Sequence, residues 1–284
     1  MKIIRATRDN GLRFITTAAI LAIAGLLVPV SQIASADTAA RSTAASGTRP
    51  SIVLVHGAFA DGSSWDAVVS RLHSEGYTVY VPPDPLQGLS YDSAYLADFL
   101  HSIAGPIILV GHSYGGAVIT NAATGERQVK ALVYVDGFAP AEGQTIGQLL
   151  SAEPGSCAVP ANLNLVPYPG APEGTADAYI KQSVFPSCFA NGLPANEANV
   201  LAATQRPLST VALTQKSGVP AWKTIPSWAA IGTADHAIPP AELLAMARQA
   251  HAHITMIPDA PHLSMIFNPG VVTRVILDAV HSTT

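Results

Sequence analysis

The chain has 284 residues, and its 15 Lys and Arg against 19 Asp and Glu give a formal net charge of −4. With these charges scattered and no basic run, the chain argues against nucleic acid or anionic membrane as its partner. Its two cysteines, Cys157 and Cys188, fit neither a metal quartet nor a C-x-x-C redox pair, so no metal centre is expected.

Lys2, Arg5, Arg8 and Arg13 precede an apolar stretch from Phe14 to Val30, and Ala34-Ser35-Ala36 follows. A basic start, an apolar run and a small-x-small site together predict a secretory signal peptide over residues 1–36, hence a secreted or periplasmic protein. The competing reading is a membrane anchor, for which the stretch is marginally long and interrupted by Pro29. Cleavage before Asp37 leaves 248 residues, enough for one α/β domain and too few for two of ordinary size. It also leaves 11 basic residues against 18 acidic ones, a net −7. Residues 37–49, rich in Ala, Ser and Thr, read as a disordered leader, and residues 50–284 as the folded domain.

Ser51 to Val55 reads as the first core strand, followed by Trp65, Val68, Val69 and Leu72 at helical spacing. Tyr77 to Val81 is a second strand, and Tyr91, Tyr95, Phe99 and Ile103 mark one face of a second helix. Ile107 to Val110, between Pro106 and Gly111, is a third strand, and small and apolar residues from Gly115 onward open another helix. Val129 to Val135 gives a fourth strand. Strands alternating with helices predict a mostly parallel sheet with helices on both faces.

The alternation stops near Phe138. Eleven of the 22 prolines lie between Pro140 and Pro226, which argues against central strands there and predicts an inserted, loop-rich helical lid. Both cysteines fall inside it. In an exported chain they predict one disulfide, with two buried free thiols as the alternative. The sheet resumes at Ser227 to Ile231, followed by a helix over Pro239 to Ala250, a strand over His253 to Ile257 and a closing amphipathic helix from Pro269 to Val280.

The chemistry is concentrated in Gly111-His112-Ser113-Tyr114-Gly115, which sits between a strand and a helix. A serine at such a corner projects its hydroxyl from a strained backbone, and the flanking glycines give the clearance the turn needs. To be a nucleophile it needs a histidine base, and the base needs a carboxylate. His262 lies in a loop after the last strand and Asp235 in the loop after the strand before it, both at strand ends where parallel sheets place their sites. Asp136, ending the fourth strand, is the competing acid. His236, His251 and His253 are weaker candidates for the base, His73 and His101 are expected on helix surfaces, and His112 is expected to point away from the nucleophile. Two backbone N–H groups should hold an oxyanion: that of Tyr114 and that of Ala58 in His56-Gly57-Ala58-Phe59, with Phe59 as the alternative.

Val53 to Gly57, the corner at Ser113, Asp235 and His262 together resemble the α/β-hydrolase superfamily, in which the triad has the chain order Ser, acid, His. His56-Gly57-Ala58-Phe59 with Gly111 to Gly116 is similar to its small esterase and hydroxynitrile lyase branch, and the resemblance covers nearly all of Pro50 to Val280. It implies a cofactor-free serine hydrolase acting on small or medium esters, with a cap between the family's sixth and seventh strands, here about residues 139–223. Lyase members follow the catalytic histidine with a lysine. This chain has Leu263, which favours ester hydrolysis over a lyase, a perhydrolase-type enzyme or a non-catalytic binding protein.

Overall fold

Residues 49–283 are described by the computed structural model; the expected signal peptide and nearly all of the expected leader lie outside the described residues. The short apolar runs form strands because alternate side chains can be buried on both faces of one sheet. In chain order the first half gives β1 (Ser51–Val55), α1 (Asp66–Ser74), β2 (Val79–Tyr80), α2 (Leu89–His101), β3 (Ile107–His112), α3 (Tyr114–Ala122) and β4 (Val129–Val135). After an insertion come β8 (Ser227–Gly232), α8 (Pro240–Gln249), β9 (His253–Ile257), α9 (Ser264–Phe267) and α10 (Pro269–Thr283). The insertion holds α4 (Ile146–Leu150), β5 (Leu163–Val166), β6 (Asp177–Ile180), α5 (Phe185–Cys188), α6 (Ala195–Thr204), β7 (Leu208–Ser209) and α7 (Val211–Thr214).

The main sheet has six strands in the order β2-β1-β3-β4-β8-β9, all parallel. Val53, Leu109, Leu132 and Ile231 face one helical layer with α2, α3 and α8, whereas Ile52, Ile108, Val110 and Val133 face the other with α1 and α10. All six residues of β3 are buried. Its pairing sets Val55 opposite Gly111 and Gly111 opposite Tyr134, so the loops after β1, β3 and β4 leave the sheet side by side.

Three expectations need correction. The second strand shrinks to Val79–Tyr80. In α2 the buried positions are Leu89, Asp92, Ser93, Leu96 and Leu100, while Tyr91 and Tyr95 are exposed. The face turns because Asp92 points inward, where it accepts the N–H groups of Gln87 and Gly88 and the hydroxyl of Tyr114. The insertion is not simply loops and helices: β5, β6 and β7 form a separate antiparallel sheet. Its strands are two to four residues long, and the prolines lie between them: Pro167, Pro169 and Pro172 between β5 and β6, Pro207 directly before β7. Prolines there end strands rather than interrupt ladders.

Cys157 and Cys188 are joined, with Cα atoms 5.6 Å apart across 31 positions of sequence. Closing a loop of that length contributes roughly 3–4 kcal/mol in the chain-entropy model. Thiol titration of denatured, unreduced protein should therefore find no free cysteine; two titratable thiols would contradict the bridge.

At Gly115 the backbone of α3 comes close to that of β1. A Cβ there would lie 2.6 Å from the carbonyl oxygen of His56 and 2.7 Å from that of Val55. Both oxygens belong to the β1 segment and cannot retreat without disturbing the sheet. Gly115→Ala should lower the unfolding free energy by roughly 1–3 kcal/mol, measured by denaturant melts; an unchanged midpoint would show that β1 and α3 can separate.

Candidate active site

Ser113 lies between β3 and α3 with φ 51° and ψ −123°, a conformation that non-glycine residues reach only at a cost of about 1–3 kcal/mol. Neighbouring backbone holds it there. Its N–H donates to the carbonyl of Val135, and its own carbonyl accepts from Gly116 and Phe138. Gly57 makes room, since a Cβ at that position would fall 2.6 Å from the Cβ of Ser113.

His262 and Asp235 are both buried, and Nδ1 of His262 lies 2.7 Å from Oδ2 of Asp235. The other oxygen, Oδ1, accepts the N–H groups of Ala237 and Ile238 at 2.8 and 2.9 Å. Burial pushes Asp235 above the ordinary carboxylate range while those two donors pull it back, and burial lowers His262. Two backbone N–H groups already donate to Asp235, which favours it as the acceptor of the pair, with the proton on Nδ1 of His262 and the lone pair on Nε2. That Nε2 has no partner among the described residues, and His262 lines the same cavity as Ser113.

Asp136, the competing acid, does not meet His262. It sits at φ 44°, fully buried, and its oxygens accept the N–H groups of Gly232 and Ser264 at 2.7 and 3.3 Å. It thus ties the end of β8, which leads to Asp235, to the segment just beyond His262. Burial and the nearby Asp235 raise its pKa well above the usual range. Among the histidines, His73 and His101 are on the surface, the latter paired with Glu126. His236 is exposed and bonded to the carbonyl of Ser187, His251 is exposed at a helix end, and His253 stacks on Trp228. None of them replaces His262 beside Asp235.

Ala58 and Tyr114 line the cavity, and the N–H group of neither has a hydrogen-bond partner among the described residues. The alternative, the N–H of Phe59, is engaged by the carbonyl of Arg206 in the insertion at 2.9 Å. The Tyr114 side chain is anchored away from the cavity by its 2.8 Å bond to Asp92.

His112 does not line the cavity that holds Ser113. Its ring is buried 4.8 Å from that of His262, and its Nε2 lies 3.0 Å from the backbone oxygen of His262. Phe189, an aromatic of the insertion, lines the cavity, and its ring lies 4.8 Å from that of His262.

The cavity is narrow, with about 50 Å³ open to the centre of a water-sized sphere. Beyond Ser113, Tyr114 and His262 its walls are apolar, with Phe138, Ile146, Leu163, Phe189, Leu213 and Ile238 among them, and no charged residue lines it. The insertion supplies much of this wall. It is moored to the Asp235 loop by Cys157 N–H to the carbonyl of His236, Ser156 Oγ to that of Ala237 and Asn191 Nδ2 to that of Ala234.

Residues 52–275 match the model of the alpha/beta hydrolase family. The chain belongs to that family. A carbendazim-hydrolysing esterase of Nocardioides sp. is 34% identical over 111 residues, 34% of this chain and 46% of the relative. A pyrethroid hydrolase of Sphingobium wenxiniae is 35% identical over 106 residues, 33% of this chain and 38% of that protein. The chain thus matches less than half the length of either relative. The crystal structure of a pyrethroid hydrolase from Sphingobium faniae superimposes with a TM-score of 0.64 at 23% identity, covering 82% of this chain and 98% of that one; a likeness at that identity speaks for the fold alone.

In this α/β hydrolase, burial works against the charged form of His262, whose ordinary value is 6.5. A lowered pKa means that the ring stays neutral as pH falls through 6.5 and gains its second proton only below it. Nitrogen NMR of the labelled ring should show the neutral Nδ1–H form still dominant at about pH 5.5. A ring half protonated near 6.5 would contradict the burial argument.

Proposed function

We propose that the chain is an exported serine carboxylesterase that cleaves neutral, largely apolar esters through an acyl-enzyme. The observation that carries this reading is the line from Asp235 through His262 to a cavity shared by Ser113 and the N–H groups of Ala58 and Tyr114. Ser113 Oγ attacks the ester carbonyl, and His262 Nε2 takes the hydroxyl proton and returns it to the leaving alcohol. Asp235 holds the imidazole in the Nδ1–H tautomer and stabilises the imidazolium. The N–H groups of Ala58 and Tyr114 meet the oxyanion, and a water activated by His262 then releases the acid.

The esterase and hydrolase named among the relatives support ester cleavage. The uncharged walls favour esters without ionic groups, because a charge there would be desolvated without a partner. Export is supported by the basic and apolar N-terminal pattern and by the disulfide; no helix among the described residues is long and apolar enough to cross a membrane.

Ser113→Ala should lower turnover of an aryl or alkyl ester by about three orders of magnitude or more without loss of fold. A fluorophosphonate should label Ser113 in the wild type; an alanine variant that stays active or is still labelled would rule out this mechanism.

The two buried acids separate in the same assay. Asp235→Asn leaves an N–H donor or a wrong tautomer facing His262 and should cost roughly 10⁴-fold in kcat. Asp136→Asn, two steps removed from the base, should cost far less, and the reverse ranking would exchange the two roles.

Leu263, buried beside His262, offers no cation to a departing cyanide, so ester hydrolysis should exceed Ser113-dependent cleavage of mandelonitrile. Rapid cyanide release with negligible ester turnover would favour a lyase.

A further inference from the structure

His112 is fully buried at the end of β3, one residue before Ser113. Only one of its nitrogens is bonded: Nε2 lies 3.0 Å from the main-chain oxygen of His262, while Nδ1 has no partner among the described residues. A carbonyl oxygen can only accept, so Nε2 is the protonated nitrogen and the ring is a donor to His262. The ring has little freedom. A Cβ at Gly57 would stand 3.2 Å from its Nδ1, and Trp65 and Phe189 meet it edge-on, each with ring centroids 6.4 Å away.

His262 makes two hydrogen bonds among the described residues: its Nδ1 to Asp235 and its main-chain oxygen from His112. The bond to Asp235 fixes the ring's tautomer and one end of its axis, but alone it leaves the residue free to pivot about that contact. A second, main-chain anchor removes the pivot. Its donor is covalently next to Ser113, so the same rigid corner that sets the hydroxyl also sets the base.

Resting on the serine-hydrolase reading above, we infer that His112 is a positioning residue: by donating Nε2–H to the main-chain carbonyl of His262, it fixes where the Nε2 of the base stands relative to Ser113. A shift of the base of about 1 Å is enough to cost about 100-fold in turnover.

The test compares His112→Met, which has no donor, with His112→Gln, of nearly the same size, whose carboxamide can donate to the same oxygen. Turnover is counted per site titrated with a fluorophosphonate, so that unfolded protein does not enter. We expect His112→Met to lose about 100-fold in kcat with KM within about threefold, and His112→Gln to recover roughly tenfold of that loss. The low-field proton resonance of the His262 Nδ1–H bonded to Asp235 should shift or broaden in the methionine variant and return toward its wild-type position in the glutamine variant. Equal losses in the two variants, or a methionine variant within about threefold of wild type in kcat with that resonance unmoved, would overturn the inference.

Nitrogen NMR of the wild-type chain decides the matter if neither variant folds: an Nε2–H ring at His112 supports the anchor, and an Nδ1–H ring overturns it. A wild-type chain that takes no phosphonate and cleaves no ester would refute the serine-hydrolase reading instead. The two resonances need no substrate and would still report on the anchor.

Discussion

Everything at this site depends on the strained backbone of Ser113 being held where it is. Three main-chain hydrogen bonds, to Val135 and from Gly116 and Phe138, clamp it between the ends of β3 and β4, and the missing side chains at Gly57 and Gly115 let β1 and α3 close around it. The strain is not isolated, because Phe59 and Asp136 also have positive φ, at 61° and 44°. Three such residues store several kcal/mol between them, roughly 1–3 each, which only a packed surrounding sheet can offset. The fully buried β3 supplies that surrounding.

Around the clamp the molecule buries an unusual amount of titratable chemistry: Asp84, Asp92, Asp136, Asp235, His56, His112 and His262. Hydrogen bonds to the main chain make this tolerable. Asp92 and Asp136 each accept two backbone N–H groups, and His56 accepts the N–H of Asp84 on Nε2 while its Nδ1–H donates to the carbonyl of Gly57. These side chains act as struts between loops that the sheet alone would leave independent. Burial lowers all three histidines and so keeps them neutral, in keeping with a polar layer that is ordered without accumulating charge.

Much of this was legible in the residues. Five of the six main-sheet strands are apolar runs bounded by turn residues, and the glycine pattern at Ser113 announces its corner. Asp235 and His262 were readable because strand ends are few and each of them follows one. The face of α2 was not, since Asp92 is buried for its hydrogen bonds while Tyr91 and Tyr95 face solvent, and apolar periodicity is blind to both. The cap's small sheet escaped because strands of two to four residues carry almost no period. The contact between His112 and His262 joins residues 150 apart, a proximity that no local pattern encodes.

The uncharged lining of the cavity bears on what happens after cleavage. On the proposed esterase reading an ester would enter as a neutral, apolar molecule, and at neutral pH its acid half would become a carboxylate on release. No cation on the wall greets it, and an anion in an apolar enclosure is strongly disfavoured relative to water. On that reading, product departure would be driven by the very change of charge that the reaction creates, and the walls that select the reactant would also expel the acid.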